Sequence, residues 1–114
     1  MIETIKKYDL EDRTLLFAKN AREFAKKIHK TLINMDDLNQ LIRSSGSVGA
    51  NYIEANESLS KRDFLMRIKI CRKEAKESRY WLSLIEGEDS QRDQLIQEAG
   101  ELMNIFGAIV RKSE

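Results

Sequence analysis

Residues 44–55 read SSGSVGANYIEA, and their interpretation decides the fold. Gly46 and Gly49 make a G-x-x-G. A phosphate-gripping loop would need a strand before it and a helix after it, so that backbone N–H groups converge. Nothing before Ser44 reads as a strand: DDLNQLIRSS is helical, and the Gly-Lys-Ser/Thr of a Walker loop is missing. The G-x-x-G of RNA-binding KH domains belongs to a mixed α/β setting, which this sequence does not offer. The remaining reading is a helix made thin. Each interior glycine costs about 1 kcal/mol against alanine, so close approach of a neighbour must offset the loss. Gly49 falls on one face with Leu38, Ile42, Ser45 and Tyr52, which predicts that the close neighbour lies on the core side.

Helical spacing extends outward in both directions. Phe17, Ala21, Phe24, Ile28 and Leu32 recur every three or four residues, predicting an amphipathic helix from about Leu10 to Ile33, with Asn34 as its stop. Asp37 followed by Gln40 has the form of a capping box for the second helix. Its row is Leu38, Leu41, Ile42, Ser45, Gly49, Tyr52, Ile53 and Asn56, in phase throughout the small-residue stretch. Ser60 and Asp63 open a third helix. The row Phe64, Ile68, Cys71, Ala75, Ser78, Leu82 and Ile85 alternates steps of four and three, the rhythm of helices crossing at shallow angles. Gly87 is its expected left-handed end. Ser90 to Asp93 repeat the cap logic before a fourth row, Leu95, Ala99, Leu102, Phe106 and Ile109.

The connections are a few residues each, which forces consecutive helices antiparallel. The expected fold is all-α: an antiparallel up-down-up-down four-helix bundle, one domain over residues 1–114. Composition agrees. Proline is absent, and 41% hydrophobic with 34% charged residues suits long amphipathic helices. Lys and Arg number 20 against 19 acids, so no global charge drives nucleic-acid binding. One cysteine excludes an internal disulfide and suits a reducing cytoplasm. No apolar run approaches the roughly 18 residues of a membrane span, and MIETIKKYDLEDR lacks a signal-peptide core.

The third helix carries more apolar surface than a bundle uses. Beside its core row lie Met66, Ile70, Trp81 and Leu84, so that apolar residues cover well over half the circumference. A homo-oligomer partner is the economical cover; Trp81 closing the bundle edge is the alternative. Asp63, Glu74 and Glu77 sit on a side apart from the basic residues of this helix, and Glu74 and Glu77 join the expected subunit interface. On the second helix Arg43, Ser47, Asn51 and Glu54 share one side. By residue type this is first a solvated face; the sharper reading is a buried polar network at a subunit contact, through Arg43, Asn51 and Glu54. Arg62, Lys69, Lys73 and Lys76 line a basic strip on the third helix, with Lys61, Arg72 and Arg79 beside it. It is either ordinary solvated surface or a contact for RNA or DNA.

Catalytic chemistry finds no constellation. His29 is the lone histidine, with no cysteine, histidine or paired carboxylate at ligand spacing, so no metal site is expected. Cys71 sits in an apolar row, where cysteine behaves as a small hydrophobe. Glu-x-x-His pairs of di-iron bundles are missing. No cofactor or catalytic residue is assigned, and the chain is expected not to be an enzyme.

From Leu41 onward the sequence resembles the bacterial four-helix-bundle family named after proteins encoded in intervening sequences of 23S ribosomal RNA genes, the S23 type. The matching residues are Arg43 and Ser44, Gly49 to Asn51, Glu54 and Ala55, Ser60 with Asp63 and Phe64, and Lys73 to Leu82. Ser78 stands where many members carry threonine. At both ends only the helical pattern agrees. The resemblance implies an antiparallel four-helix bundle, a homopentameric ring and non-enzymatic work. One similar branch, the accessory variability protein of diversity-generating retroelements, contacts a reverse transcriptase and nucleic acid through a basic surface. The combined expectation is a cytoplasmic homo-oligomeric binding or scaffolding module, with a nucleic-acid-binding accessory factor as the rival.

Overall fold

In the computed structural model the backbone of residues 2–87 and 89–114 and the side chains of residues 10–87 and 89–114 are described. They form four helices: α1 (Ile2–Lys27), α2 (Leu32–Asn56), α3 (Lys61–Leu84) and α4 (Ser90–Ser113). The small-residue stretch is helical from end to end, so the G-x-x-G is not a loop. Each helix packs against its neighbours in chain order, and α4 returns to α1. The seams run antiparallel. Arg43 meets Glu74 and Glu77 while Asn51 meets Arg67. Arg79 covers Gly100 while Arg72 covers Gly107. Arg13 meets Glu98 while Lys27 meets Asp89. This is the up-down-up-down bundle.

Most of the core is built from the expected rows; Val48 is an addition from α2, and Ile28, Phe64 and Ile109 are only partly buried. Phe17, Phe24, Leu41, Val48, Ile68, Leu82, Leu102 and Phe106 are fully buried. Tyr52 reaches across it to Phe106, ring centroids 5.8 Å apart. In α2 the buried side is turned from the expected one: Ser44, Val48 and Ala55 are inside, whereas Ile53 and Asn56 face out. The reason is that α2 packs on two helices, and the expected row followed only its α1 side.

Several boundaries differ from expectation, beginning with the start of α1, which lies at Ile2 and not at about Leu10. The first helix ends at Lys27, not Ile33. Lys30 folds back and donates its ammonium to the carbonyls of Ala25 and Ile28 at 2.5 and 2.8 Å, satisfying open groups at the helix end. Thr31 then caps α2, its hydroxyl accepting from Asn34 N at 3.1 Å. Leu32 and Ile33 therefore start a new helix and point to solvent, 89% and 75% exposed. Asp37 and Gln40 are interior residues of α2, not its cap, and Asn34 is no stop. At α4 the cap is Asp89 rather than Ser90: one carboxylate oxygen accepts from Gln91 N and Arg92 N. A charged acceptor that satisfies two amides outcompetes a hydroxyl. Ser60 caps α3 as expected, accepting from Asp63 N at 3.1 Å. That helix ends at Leu84, and Gly87, with φ +106°, makes the left-handed turn two residues past its C-cap, where a side chain would strain.

Gly49 has the close neighbour its position requires. A Cβ there would lie 3.0 Å from Thr14 Oγ1 and 3.3 Å from Thr14 Cβ. Thr14 is buried and belongs to α1, so the glycine thins the α1–α2 seam. On the other side of α2 the hydroxyls of Ser44 and Ser78 sit 2.8 Å apart. Ser78 also donates to Glu74 O at 2.9 Å, which leaves Ser44 as donor to Ser78. The buried hydroxyls thus form a chain ending on a backbone carbonyl.

Candidate interaction surfaces

Above the serine pair, the α2–α3 seam opens into a polar band. Asn51 is held by its own helix, its amide donating to Ser47 O and Ser47 Oγ at 2.9 Å each. Its carbonyl oxygen is then free to accept from Arg67 Nη1 at 2.9 Å. Toward the other end, Arg43 donates to Gln40 and lies 3.8 Å from Glu74 and 3.7 Å from Glu77. Arg43 is exposed, whereas the Glu74 carboxylate is buried and its Oε1 has no hydrogen-bond partner. The polar face of α2 is therefore ordered within one chain. Glu54 is exposed and joins Met66 and Arg67 in a shallow hollow of about 310 Å³ at the α2–α3 turn.

The apolar surplus on α3 is divided. Ile70 and Trp81 are half-buried, and Trp81 packs against the core with Tyr80 edge-on at 5.2 Å. Its indole Nε1 is buried without a hydrogen-bond partner. Met66 and Leu84 stay 50% and 43% exposed. By helical spacing all four share a flank with Glu74 and Glu77, the two acids that face Arg43 of α2.

The basic residues split in two. Arg62, Lys69, Lys73 and Lys76 are exposed, and Lys69 reaches Glu114 at 3.9 Å. Arg72 and Arg79 instead lean over α4. Arg79 Nη1 lies 3.6 Å from where a Cβ of Gly100 would be, and Arg72 Nε lies 3.6 Å from the same point on Gly107. Arg111 Nη1 is 3.4 Å from that Gly107 position, so two guanidinium groups converge over one glycine. Neither forms an ion pair among the described residues.

Two residues escaped the sequence reading. Arg67 sits seven positions before Glu74 on the same flank, so the heptad step could have found it. Arg111 could not be found that way, because its meeting with Arg72 depends on how α3 and α4 register. Cys71 is fully buried, and burial pushes its thiol pKa up to about 12, which removes it as a nucleophile near neutrality. Among the described residues no three His, Cys, Asp or Glu side chains gather as metal ligands, and no helix is long and apolar enough to cross a membrane.

A family model described as 23S rRNA-intervening sequence protein matches residues 13–109. The crystal structure of a protein of unknown function from the S23 ribosomal protein family of Bacteroides thetaiotaomicron is 27% identical to this chain. It superposes with a TM-score of 0.78 over 89% of this chain and 97% of that one. A comparison with curated proteins gives no match.

Proposed function

Since the chain belongs to the 23S rRNA-intervening sequence protein family, we propose that it is a non-enzymatic binding or scaffolding module of the cytoplasm that works as a homo-oligomer. The α2–α3 face is the subunit contact. One observation carries this reading: a single flank of α3 combines exposed Met66 and Leu84 with two buried polar atoms, Glu74 Oε1 and Trp81 Nε1, that lack hydrogen-bond partners, Glu74 having only Arg43 at 3.8 Å. Exposed apolar surface favours cover. A buried polar atom left unpaired costs about 1–3 kcal/mol. Docking would cover the first and draw Arg43 closer to Glu74. The resemblance to S23-type proteins supports a ring of five.

Light scattering tests it. The wild-type chain is expected at a multiple of 13.3 kDa, five for the ring. Met66→Glu with Leu84→Glu should reduce it to monomers with helix content intact, and Trp81→Glu should do the same. Met66 and Leu84 are the safer probes, because Trp81 also packs on the core. A wild-type monomer, or a double variant of unchanged mass, would overturn the reading.

A second reading rests on the paired guanidinium groups of Arg72 and Arg111. Two cations over a glycine leave space that a phosphate could fill bidentately. On this reading α3 and α4 present RNA or DNA with that pair, aided by Arg62, Lys69, Lys73, Lys76 and Arg79. Binding should weaken with salt, and Arg72→Glu with Arg111→Glu should lower the slope by roughly 0.7–0.9 for each phosphate no longer neutralised. Binding with an unchanged slope would exclude this pair.

A further inference from the structure

The charges of α3 are sorted around its axis. Lys69, Arg72, Lys73, Lys76 and Arg79 follow steps of three and four along the side that meets α4 and the solvent beyond it. Lys61 and Arg62 continue that side to the first turn, and Arg111 of α4 joins it over Gly107. Across the seam the band passes Gly100, Met103, Asn104 and Gly107, none of them charged. The acids lie off this band or at its margins. Glu74 and Glu77 face Arg43 of α2 at 3.8 and 3.7 Å. Glu114 lies 3.9 Å from Lys69, and Asp93 lies 3.4 Å from Arg92. Asp63 is half a turn around α3 from Arg72, and Glu86 is past the end of the helix. Arg72, Lys73, Lys76, Arg79 and Arg111 form no ion pair among the described residues.

Tyr80 stands in this band. It follows Lys76 by four residues and Lys73 by seven, so it shares their side of the helix. It is 58% exposed, and no other aromatic ring among the described residues stands mainly in solvent. Trp81 meets it edge-on, with the rings at 72°. That contact steadies the ring, and with so much of the residue in solvent at least one ring face is open.

Cations along a path neutralise successive phosphates, and an open ring stacks on an unpaired base whatever its identity. A duplex fits this surface poorly. Its major groove, about 12 Å wide, admits one helix. Here α3 packs against both α2 and α4, whose axes lie roughly 8–10 Å away in such packing, so α3 cannot enter alone. A paired base inside a duplex also shows no free face to Tyr80. We infer that the outer face of α3 and α4 binds single-stranded nucleic acid, with Arg72 and Arg111 on one phosphate, Lys73, Lys76 and Arg79 along the backbone, and Tyr80 stacked on a base. This rests on the nucleic-acid reading proposed above and adds the form of the strand and the base contact.

Fluorescence anisotropy tests it with an oligothymidylate of about 15 nucleotides, alone and annealed to its complement. The wild-type chain should bind the single strand roughly tenfold more tightly than the duplex. Tyr80→Leu keeps apolar bulk beside Trp81 and removes the ring. It should weaken single-strand binding roughly tenfold with an unchanged salt slope, because stacking releases no counterions. Tyr80→Phe keeps the ring and should bind like wild type. Arg72→Glu with Arg111→Glu should instead lower the slope. If the duplex binds as tightly as the single strand, or Tyr80→Leu binds like Tyr80→Phe, while the charge reversal still lowers the slope, the basic surface stands and the single-strand inference falls. A wild-type chain that binds neither oligonucleotide overturns both.

Discussion

Between α2 and α3 the innermost polar contact is two serine hydroxyls 2.8 Å apart, both fully buried. Between α1 and α4 it is the guanidinium of Arg13, which donates to Glu98 at 2.6 and 3.0 Å and to Glu101 at 3.1 Å. Small side chains let the first pair of helices approach closely. Long charged ones hold the second pair apart, and a hollow of about 530 Å³ remains there, lined by Phe17, Asn20, Leu95 and Glu98 among others. The first seam depends on shape, and a volume change should be costly. The second depends on charge, and it should respond to salt and pH more than to volume. The α1–α2 seam belongs with the first kind, because Gly49 meets Thr14 directly.

The largest effect is expected where that fit is tightest. Gly49→Val places branched carbon against buried Thr14 and should destabilise by about 3 kcal/mol, in line with overpacking of a filled contact. Urea unfolding would measure it. A loss under about 1 kcal/mol, the low end for overpacking, would mean that α1 slides easily and that the seam is not set by shape. Next comes Ser78→Ala, which leaves Ser44 with only a long bond to Leu41 O, 3.3 Å. A loss of about 1.5 kcal/mol is expected. Adding Ser44→Ala should cost little more, because the stranded hydroxyl goes too; additive losses in the double-mutant cycle would deny the coupling.

These positions also indicate what the sequence could disclose. Continuity of α2 was legible because helical phase survives from Leu38 to Tyr52, and only a close neighbour makes two interior glycines tolerable. The core rows and the Ser60 cap were legible for the same local reasons. The ends of α1 and α4 were not. Lys30 capping α1 and Asp89 outcompeting Ser90 depend on which group reaches the open backbone first, and periodicity carries no record of that. The apolar flank of α3 was legible as surplus hydrophobicity. The outward turn of Ile53 was hidden, because it reads as a core residue until the bundle's registers place it outside. Arg13 with Glu98 was hidden similarly, since the two are 85 positions apart.

Arg13→Ala is the probe of the charged seam. Arg13 is about a quarter exposed and bidentate, so its loss should cost about 1 kcal/mol after screening by solvent. The cost should shrink with added salt, unlike that of Gly49→Val. Acid should act in the same direction. Glu101 has its pKa lowered, first by the hydrogen bond from Gln97 and then by that from Arg13. A carboxylate with a lowered folded-state pKa contributes stability above its unfolded pKa, near about 4.3, and loses it as pH falls through the folded value. Stability should therefore drop on acidification through that range, and by less in Arg13→Ala. Equal acid sensitivity in both proteins would place the loss elsewhere.

The smallest expected change is a gain. Gly46 lies three residues from Gly49 in the same helix, yet a Cβ there meets only the end of the flexible Arg22 side chain, 3.4 Å away. Arg22 can give way, so Gly46→Ala should recover helix propensity and stabilise by about 0.5–1 kcal/mol. The pair of glycines then separates two settings that the sequence shows as one motif: Gly49 is small because Thr14 of α1 is there, and Gly46 lies on the open outer side of the seam. A loss in place of the gain would show that Arg22 cannot give way there, and that both glycines are held by packing.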